Sequence, residues 1–362
     1  MFGSKIGNAP LVRASRETSF PRRKVLSLAL AASLAALGAT AAGTRPAVAQ
    51  QDFYKGKTII LYIGFAPGGG YDYYGRLAAR YLGKHIPGNP NIVPQNMPGA
   101  GSFVAANFLF HAAPKDGTAL GVLTQTLALE EALKTKGVQY KSAQFNWIGR
   151  VTAILEVSLV GPKAKARTIE DARKIETPVA STGSGSPSES YPKLMNALGG
   201  TKFKVIAGYP GSTQGMMAAE SGEVDGALTS WNTLKRTKTN ELAKGEFSVL
   251  VQYALSRHPD LPNVPAVTEL SNTEEGKKIL GFYASGGEVG RSIVAPPGLP
   301  AERVKLLRDA FDAMVKDPEF LAEVDKLKVE FQPASGDFMQ KLVAETAEAS
   351  PEMIAKAQEI LK

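Results

Sequence analysis

Two glycine- and hydroxyl-rich segments hold the residues best suited to gripping a ligand. They are Phe65-Ala66-Pro67-Gly68-Gly69-Gly70-Tyr71-Asp72 and Ser181-Thr182-Gly183-Ser184-Gly185-Ser186-Pro187-Ser188. Glycine has no side chain to screen its own N–H, so a ligand oxygen can approach the main chain closely. The free amides at the start of a helix favour a negative charge there. Such a grip is binding chemistry and needs no reactive side chain. Tight turning alone also explains one glycine-rich loop; two of similar design argue for a cleft.

Sharper chemistry finds little support. The chain has no Cys, which removes thiol catalysis, Cys-ligated zinc and iron–sulfur clusters, and its three histidines (His85, His111, His258) are too few for a multi-histidine metal centre. No G-x-x-x-x-G-K-[ST] occurs, and neither glycine loop completes G-x-G-x-x-G: one ends in Tyr73, the other in Ser188. The hydrolase pattern G-x-S-x-G is approached only by Gly211-Ser212-Thr213-Gln214-Gly215, with Thr213 at the nucleophile position. Asp72, Glu189 and Asp225 suit capping and turn roles better than an acid/base set. No cofactor, metal or catalytic residue is expected.

The elements that must position the loops are legible in the hydrophobic pattern. Thr58 to Phe65 is a continuous apolar run suited to a strand buried on both faces, and it ends in the first loop. Tyr74, Leu77, Ala78, Tyr81 and Leu82 then fall on one helical face, with Asp72 as the expected N-cap. Phe103 to His111 reads as a helix, Ala119 to Leu123 as a strand ending at Thr124-Gln125-Thr126, and Trp147 to Val160 as strand-rich chain leading from one lobe to the next. The grammar repeats: a strand at Pro178 to Ala180, the second loop, a helix through Leu194 and Leu198, a strand at Phe203 to Ala207, a helix over Met216 to Ser221 and a strand from Val224 to Leu228. Val304, Leu307, Phe311 and Met314 share a helical face, and Pro318 and Pro351 stand where first-turn prolines belong, after Asp317 and Ser350. Repeated βα units with glycine-rich turns predict an α/β protein with mixed or parallel sheets covered by helices.

The chain has 362 residues, enough at roughly 150 residues per domain for about two lobes. Its formal charge of +8 suggests a polyanion binder until the N-terminus is considered. Arg22-Arg23-Lys24, the small and apolar run Val25 to Ala42, and Ala47-Val48-Ala49 form an export signal, with cleavage expected after Ala49; both the Sec and Tat routes fit. Removing residues 1–49 takes away seven bases and one acid and leaves 35 bases against 33 acids. The cationic excess is gone, so no nucleic-acid partner is expected.

Seven segments resemble one family in its own order. They are Phe65 to Asp72 with Arg76 to Ala79, Asn96 to Gly101, Pro114 to Thr118, Gly183 to Ser186, Tyr209 to Ser212, Gly222 to Asp225 and Ala295 to Pro300. The chain is similar to the periplasmic receptors of tripartite tricarboxylate transporters, also called Bug proteins. That resemblance implies a two-lobed periplasmic-binding-protein fold of type II, a Venus flytrap, each lobe a mixed sheet flanked by helices. Lobe 1 would span 50–154 and 284–362, and lobe 2 would span 155–283. It implies a monomeric periplasmic receptor that closes on a small carboxylate and presents it to membrane permease subunits. The cleft would be built from Phe65 to Asp72 and from Ser181, Thr182, Gly183, Gly185, Ser186 and Ser188, with Thr126, Tyr209 and Ser212 as further wall.

Three positions depart from the family pattern: Tyr71 in place of Thr or Ser, Glu189 in place of His, and Pro210 in place of Lys. An acid gained at 189 and a cation lost at 210 favour a mono- or aromatic carboxylate over a citrate-like polyanion, and Tyr71 or Tyr73 is placed to stack on it. An exported hydrolase-like enzyme and a sensory module for a two-component kinase are the competing functions; ligand recovered intact from the purified protein separates a receptor from an enzyme. Gly69→Val is expected to abolish binding with a smaller effect on folding, measured by calorimetric titration beside a melting curve.

Overall fold

The computed structural model describes residues 53–348 and 350–361; the expected export signal lies outside them. The chain builds β1 (Thr58–Ile63), β2 (Asn91–Asn96), β3 (Ala119–Val122) and β4 (Asn146–Arg150). It crosses to β5 (Glu156–Val160), β6 (Thr177–Ser181), β7 (Phe203–Ala207), β8 (Gly226–Ser230) and β9 (Ser248–Tyr253), then returns to β10 (Ser292–Ala295) and β11 (Ala334–Ser335). Two sheets result, ordered β11-β4-β10-β3-β1-β2 and β7-β6-β8-β5-β9. Both are mixed. β1 pairs in parallel with β2 and β3 while β10 runs antiparallel to β3 and β4; β6 is parallel to β7 and β8 while β5 is antiparallel to β8 and β9. Helices cover the sheets, and the two-lobed α/β architecture expected from the sequence is the one observed.

Apolar periodicity explains the layers. Ile59, Leu61 and Ile63 of β1 are buried with Leu77 and Leu82 of the helix Gly70–Leu82 and with Leu307, Phe311 and Phe320 from the C-terminal region. Around the second sheet, Val160, Val179 and Val251 pack with Tyr191, Leu194 and Met195 of the helix Pro187–Gly199. Residues 351–361 depart from the expected partition. Their helix buries Ala357 in this second core, with Met353, Ile354, Ile360 and Leu361 against it, because its apolar face finds there the groove beside Tyr191 and Leu194.

The chain crosses between the sheets twice, and the crossings are bonded to each other. Val151 N–H donates to Arg291 O at 3.0 Å, Arg291 N–H to Thr152 O at 2.8 Å and Ile154 N–H to Gly287 O at 2.9 Å. This paired ribbon forms a floor between the lobes and fixes what projects from it. Asp317 caps the helix Pro318–Leu327 through Glu319 N–H, as the sequence predicts, but Asp72 does not cap its helix. That helix begins at Gly70 with Gly69 as its cap position, and Asp72 lies inside the first turn.

Close packing behind the ribbon gives a test of the fold. A Cβ on Gly149 of β4 would lie 2.2 Å from two ring carbons of fully buried Phe311. Gly149→Ala is expected to cost about 1–3 kcal/mol by overpacking. In a Phe311→Leu background it should cost less, and urea denaturation of the four-member cycle measures the difference.

Candidate functional site

Three helices begin at one cavity between the lobes with no side-chain cap, Gly70–Leu82, Pro187–Gly199 and Ser212–Ser221; a fourth, Trp231–Thr237, also starts there and is capped by Ser230 Oγ. The first N–H groups of a helix have no intrahelical partner. At other helices of this chain a side chain answers them, as Thr168, Thr273, Asp317 and Ser335 do. At these three it does not: Gly69, Ser186 and Gly211 occupy the cap positions, and none makes a side-chain capping bond. The cavity therefore receives three uncapped, partially positive helix ends, a favourable setting for an anion.

The cavity is lined by Phe65, Ala66, Gly69, Gly70, Tyr71, Thr182, Ser188 and Ser212, eight of the residues the sequence suggests for the cleft. Phe65 and Tyr71 stack at 4.5 Å between centroids, and the Tyr71 hydroxyl accepts from Gln125 N–H at 3.0 Å, so this aromatic wall is held rigidly. Gly70, rather than Gly69, is the glycine with no room for a side chain. A Cβ there would lie 2.4 Å from Arg291 Nη2, whereas at Gly69 the nearest atom is Ser212 Oγ at 3.6 Å.

The sequence reading missed the floor. Glu156 at the start of β5, Leu228, Thr229 and Ser230 at the end of β8, and Arg291 on the crossing ribbon complete the cavity together with Pro187 and Gly211. Arg291 is 4% exposed and makes one side-chain hydrogen bond, from Nη2 to Ser230 Oγ at 3.2 Å, while its Nε and Nη1 have no partner. Its guanidinium carbon lies 3.9 Å from the centroid of the Tyr71 ring. Glu156 is 6% exposed, and its Oε2 also lacks a partner, as does Thr229 Oγ1. Burial raises the Glu156 carboxyl to about 7, against the opposing pull of the Arg291 charge. A charged residue in each apolar run, Glu156 at the head of Glu156–Val160 and Arg291 just before Ser292–Ala295, was the signal available in the sequence.

Other expected site residues brace the walls. Asp72 accepts from Gly68 N–H at 2.9 Å, Arg76 Nε at 2.8 Å and Asn96 Nδ2 at 2.8 Å, so it holds the first loop. Pro67 and Gly68 are exposed at the rim, where Gly68 O accepts from Thr213 Oγ1 at 3.1 Å across the lobes. In the second loop Ser181 Oγ accepts from Gly183 N–H, Gly183 O from Ser186 Oγ, and Ser188 Oγ from Thr182 N–H. Thr126 donates to Gly185 O at 2.9 Å, a second tie between the lobes, and Tyr209 donates to Glu223 at 2.6 Å. Thr126, Ser181, Gly183, Gly185, Ser186 and Tyr209 thus lie outside the cavity lining.

Glu189 does not line this cavity. It pairs with Lys193 at 2.7 Å and lines a separate cavity with Glu130. Tyr74 is buried in the core, as its place on the apolar helical face requires. Tyr73 lies under Arg236, whose guanidinium carbon is 4.2 Å from the ring centroid, and does not line the cavity.

Comparison with known proteins gives the family and the fold. The model of the tripartite tricarboxylate transporter family receptor matches residues 76–358. A protein encoded in the gbd 5' region of Cupriavidus necator is 25% identical over 343 residues, 92% of this chain and 97% of that protein. Another, from the tcbD-tcbE intergenic region of Pseudomonas sp. (strain P51), is 25% identical over 82% of this chain and 89% of its own length. Among solved structures, the periplasmic binding protein BugD superposes with a TM-score of 0.66 at 21% identity, covering 85% of this chain and 98% of its own. MatC from Rhodopseudomonas palustris with bound malate gives 0.64 at 21% identity, covering 84% and 99%.

Two buried acids give the fold a pH signature. Burial raises Glu130 to about 7 as well, opposed by hydrogen bonds from Thr135 and Ser190. A carboxyl raised in the folded state binds protons there that the unfolded chain has released. Its contribution is therefore full below the ordinary carboxylate range and is lost as pH rises through about 7. Urea denaturation between about pH 5 and about pH 8.5 should show stability falling by about 1–3 kcal/mol per group. The Glu130→Gln/Glu156→Gln double variant should flatten that slope.

Proposed function

The chain belongs to the tripartite tricarboxylate transporter receptor family, and from that premise we propose that its interlobe cavity captures a small carboxylate for the membrane permease of such a transporter. Release from the membrane by cleavage after Ala49 and service in the periplasm complete the reading. One observation carries it: a buried guanidinium, Arg291, stands with two donors free where three uncapped helix N-termini converge. Leaving such donors unsatisfied is expensive in a folded protein, and a carboxylate has the charge and the acceptor oxygens to satisfy either free nitrogen by a charge-assisted N–H···O bond.

The cavity's remaining walls limit the guest. Phe65, Tyr71, Ala66, Pro187 and Leu228 are apolar, so the body of the ligand lies against an aromatic and aliphatic surface while its charged end meets Arg291. No histidine is among the residues lining this cavity, and the hydroxyl of Thr213 is committed to Gly68 O. The chemistry assembled here therefore favours holding a ligand over attacking one.

Capture by closure follows from the cross-lobe bonds. Thr213 to Gly68 and Thr126 to Gly185 join the two glycine loops across the cleft. A ligand touching helix ends from both lobes adds contacts only in the closed arrangement and so shifts the population toward it.

The anchor is tested by replacing it. Arg291→Gln should weaken carboxylate binding about 100-fold or more, and Arg291→Lys, which keeps the charge but loses the fork, should fall between it and the parent protein. Titration calorimetry on variants with unchanged circular dichroism measures both. Full affinity in Arg291→Gln would remove Arg291 from the site.

A further inference from the structure

The floor of the cavity holds an arginine and a glutamate that do not bond to each other, which a carboxylate receptor does not need. Arg291 keeps Nε and Nη1 free, and Glu156 keeps Oε2 free, in the same cavity and both buried. Resting on the reading above, we propose that carboxylate capture in this cleft takes up one proton onto Glu156. The anion is received by Arg291 and the proton by the neighbouring acid.

Charge balance in a buried site carries the step. With the cavity empty, the Arg291 cation is what offsets the cost of an ionised Glu156. The other titratable groups that act on Glu156 are Tyr71 on the helix Gly70–Leu82, Tyr191 on the helix Pro187–Gly199 and Tyr253 on β9. Burial raises all three phenols above their ordinary value, so they are neutral near pH 7. A carboxylate on Arg291 cancels the charge that, among the described residues, opposes the effect of burial on Glu156, and excludes water from the floor. Ionised Glu156 would then face an anion across an apolar cavity, and protonation from solvent relieves the repulsion.

A neutral Glu156 is also a hydrogen-bond donor. It has no acceptor on the protein at Oε2, so the acceptor it fits is on the ligand. The preferred guest is accordingly a carboxylate that carries a second oxygen acceptor, a hydroxyl, carbonyl or further carboxyl group. A ligand whose ammonium group paired with ionised Glu156 would give the opposite proton flow. Glu156 is thereby a specificity-determining residue as well as a proton acceptor.

Calorimetric titration with malate, adipate and benzoate, in phosphate and in Tris at about pH 8, counts the protons exchanged. Uptake approaching one proton per bound ligand is expected, with affinity strengthening by up to about tenfold per pH unit as pH falls toward 7. Any binding by Glu156→Gln should carry no proton, whereas Glu130→Gln, altered in the other cavity, should retain the uptake. Zero exchange, proton release, or uptake that survives in Glu156→Gln would overturn the proposal. If none of the three acids binds, the carboxylate reading fails by itself, and the linkage is read in the empty protein by the ¹³C titration of Glu156. Its midpoint should rise by about one unit or more in Arg291→Gln; an unchanged or lowered midpoint would refute it.

Discussion

A guanidinium group withdrawn from water with only one of its nitrogens bonded is a standing cost to the folded state, and the cleft is organised around that cost. Arg291 cannot deprotonate to escape it, since the side chain stays charged at any physiological pH. The crossing ribbon fixes its backbone through bonds to Val151 and Thr152, and Ser230 takes one nitrogen. Tyr71 places a ring face against the cation, which partly offsets the lost hydration. Among the described residues nothing takes Nε or Nη1.

The same logic explains why the surrounding helices start as they do. Gly69, Ser186 and Gly211 leave the helix ends at the cavity without a side-chain cap, whereas Thr168 and Thr273 cap their helices elsewhere. Glycine at position 70 leaves the space that Arg291 and Thr233 occupy, and a Cβ there would have to displace the guanidinium. Asp72 gives up a capping role to pin Gly68, Arg76 and Asn96, so the loop is shaped before a ligand arrives. A site preorganised in this way loses less entropy on binding.

The fold was legible in the sequence wherever burial was periodic or continuous. β1, β7 and the helix Phe103–His111 follow directly from their apolar patterns, and the two glycine loops fall at the cavity because turns of that composition join strands to helices. The floor was not legible, since it depends on two crossings more than 130 residues apart, Val151–Ile154 and Gly287–Arg291, meeting in space. Local pattern contains no record of that pairing. Glu189 drew attention because it lies next to a loop; its partner Lys193, one helical turn on, turns it away from the cavity. Glu156 escaped notice inside an apolar strand, where an acid is itself the anomaly.

The account is tested most directly by a crystal structure of the protein grown with a carboxylate that it binds. It predicts carboxylate oxygens at about 3 Å from Arg291 Nε or Nη1, with amides at the starts of the helices Gly70–Leu82 and Ser212–Ser221 completing the contact. A ligand lodged elsewhere, with both nitrogens of Arg291 still unpartnered or turned onto Glu156, would contradict it.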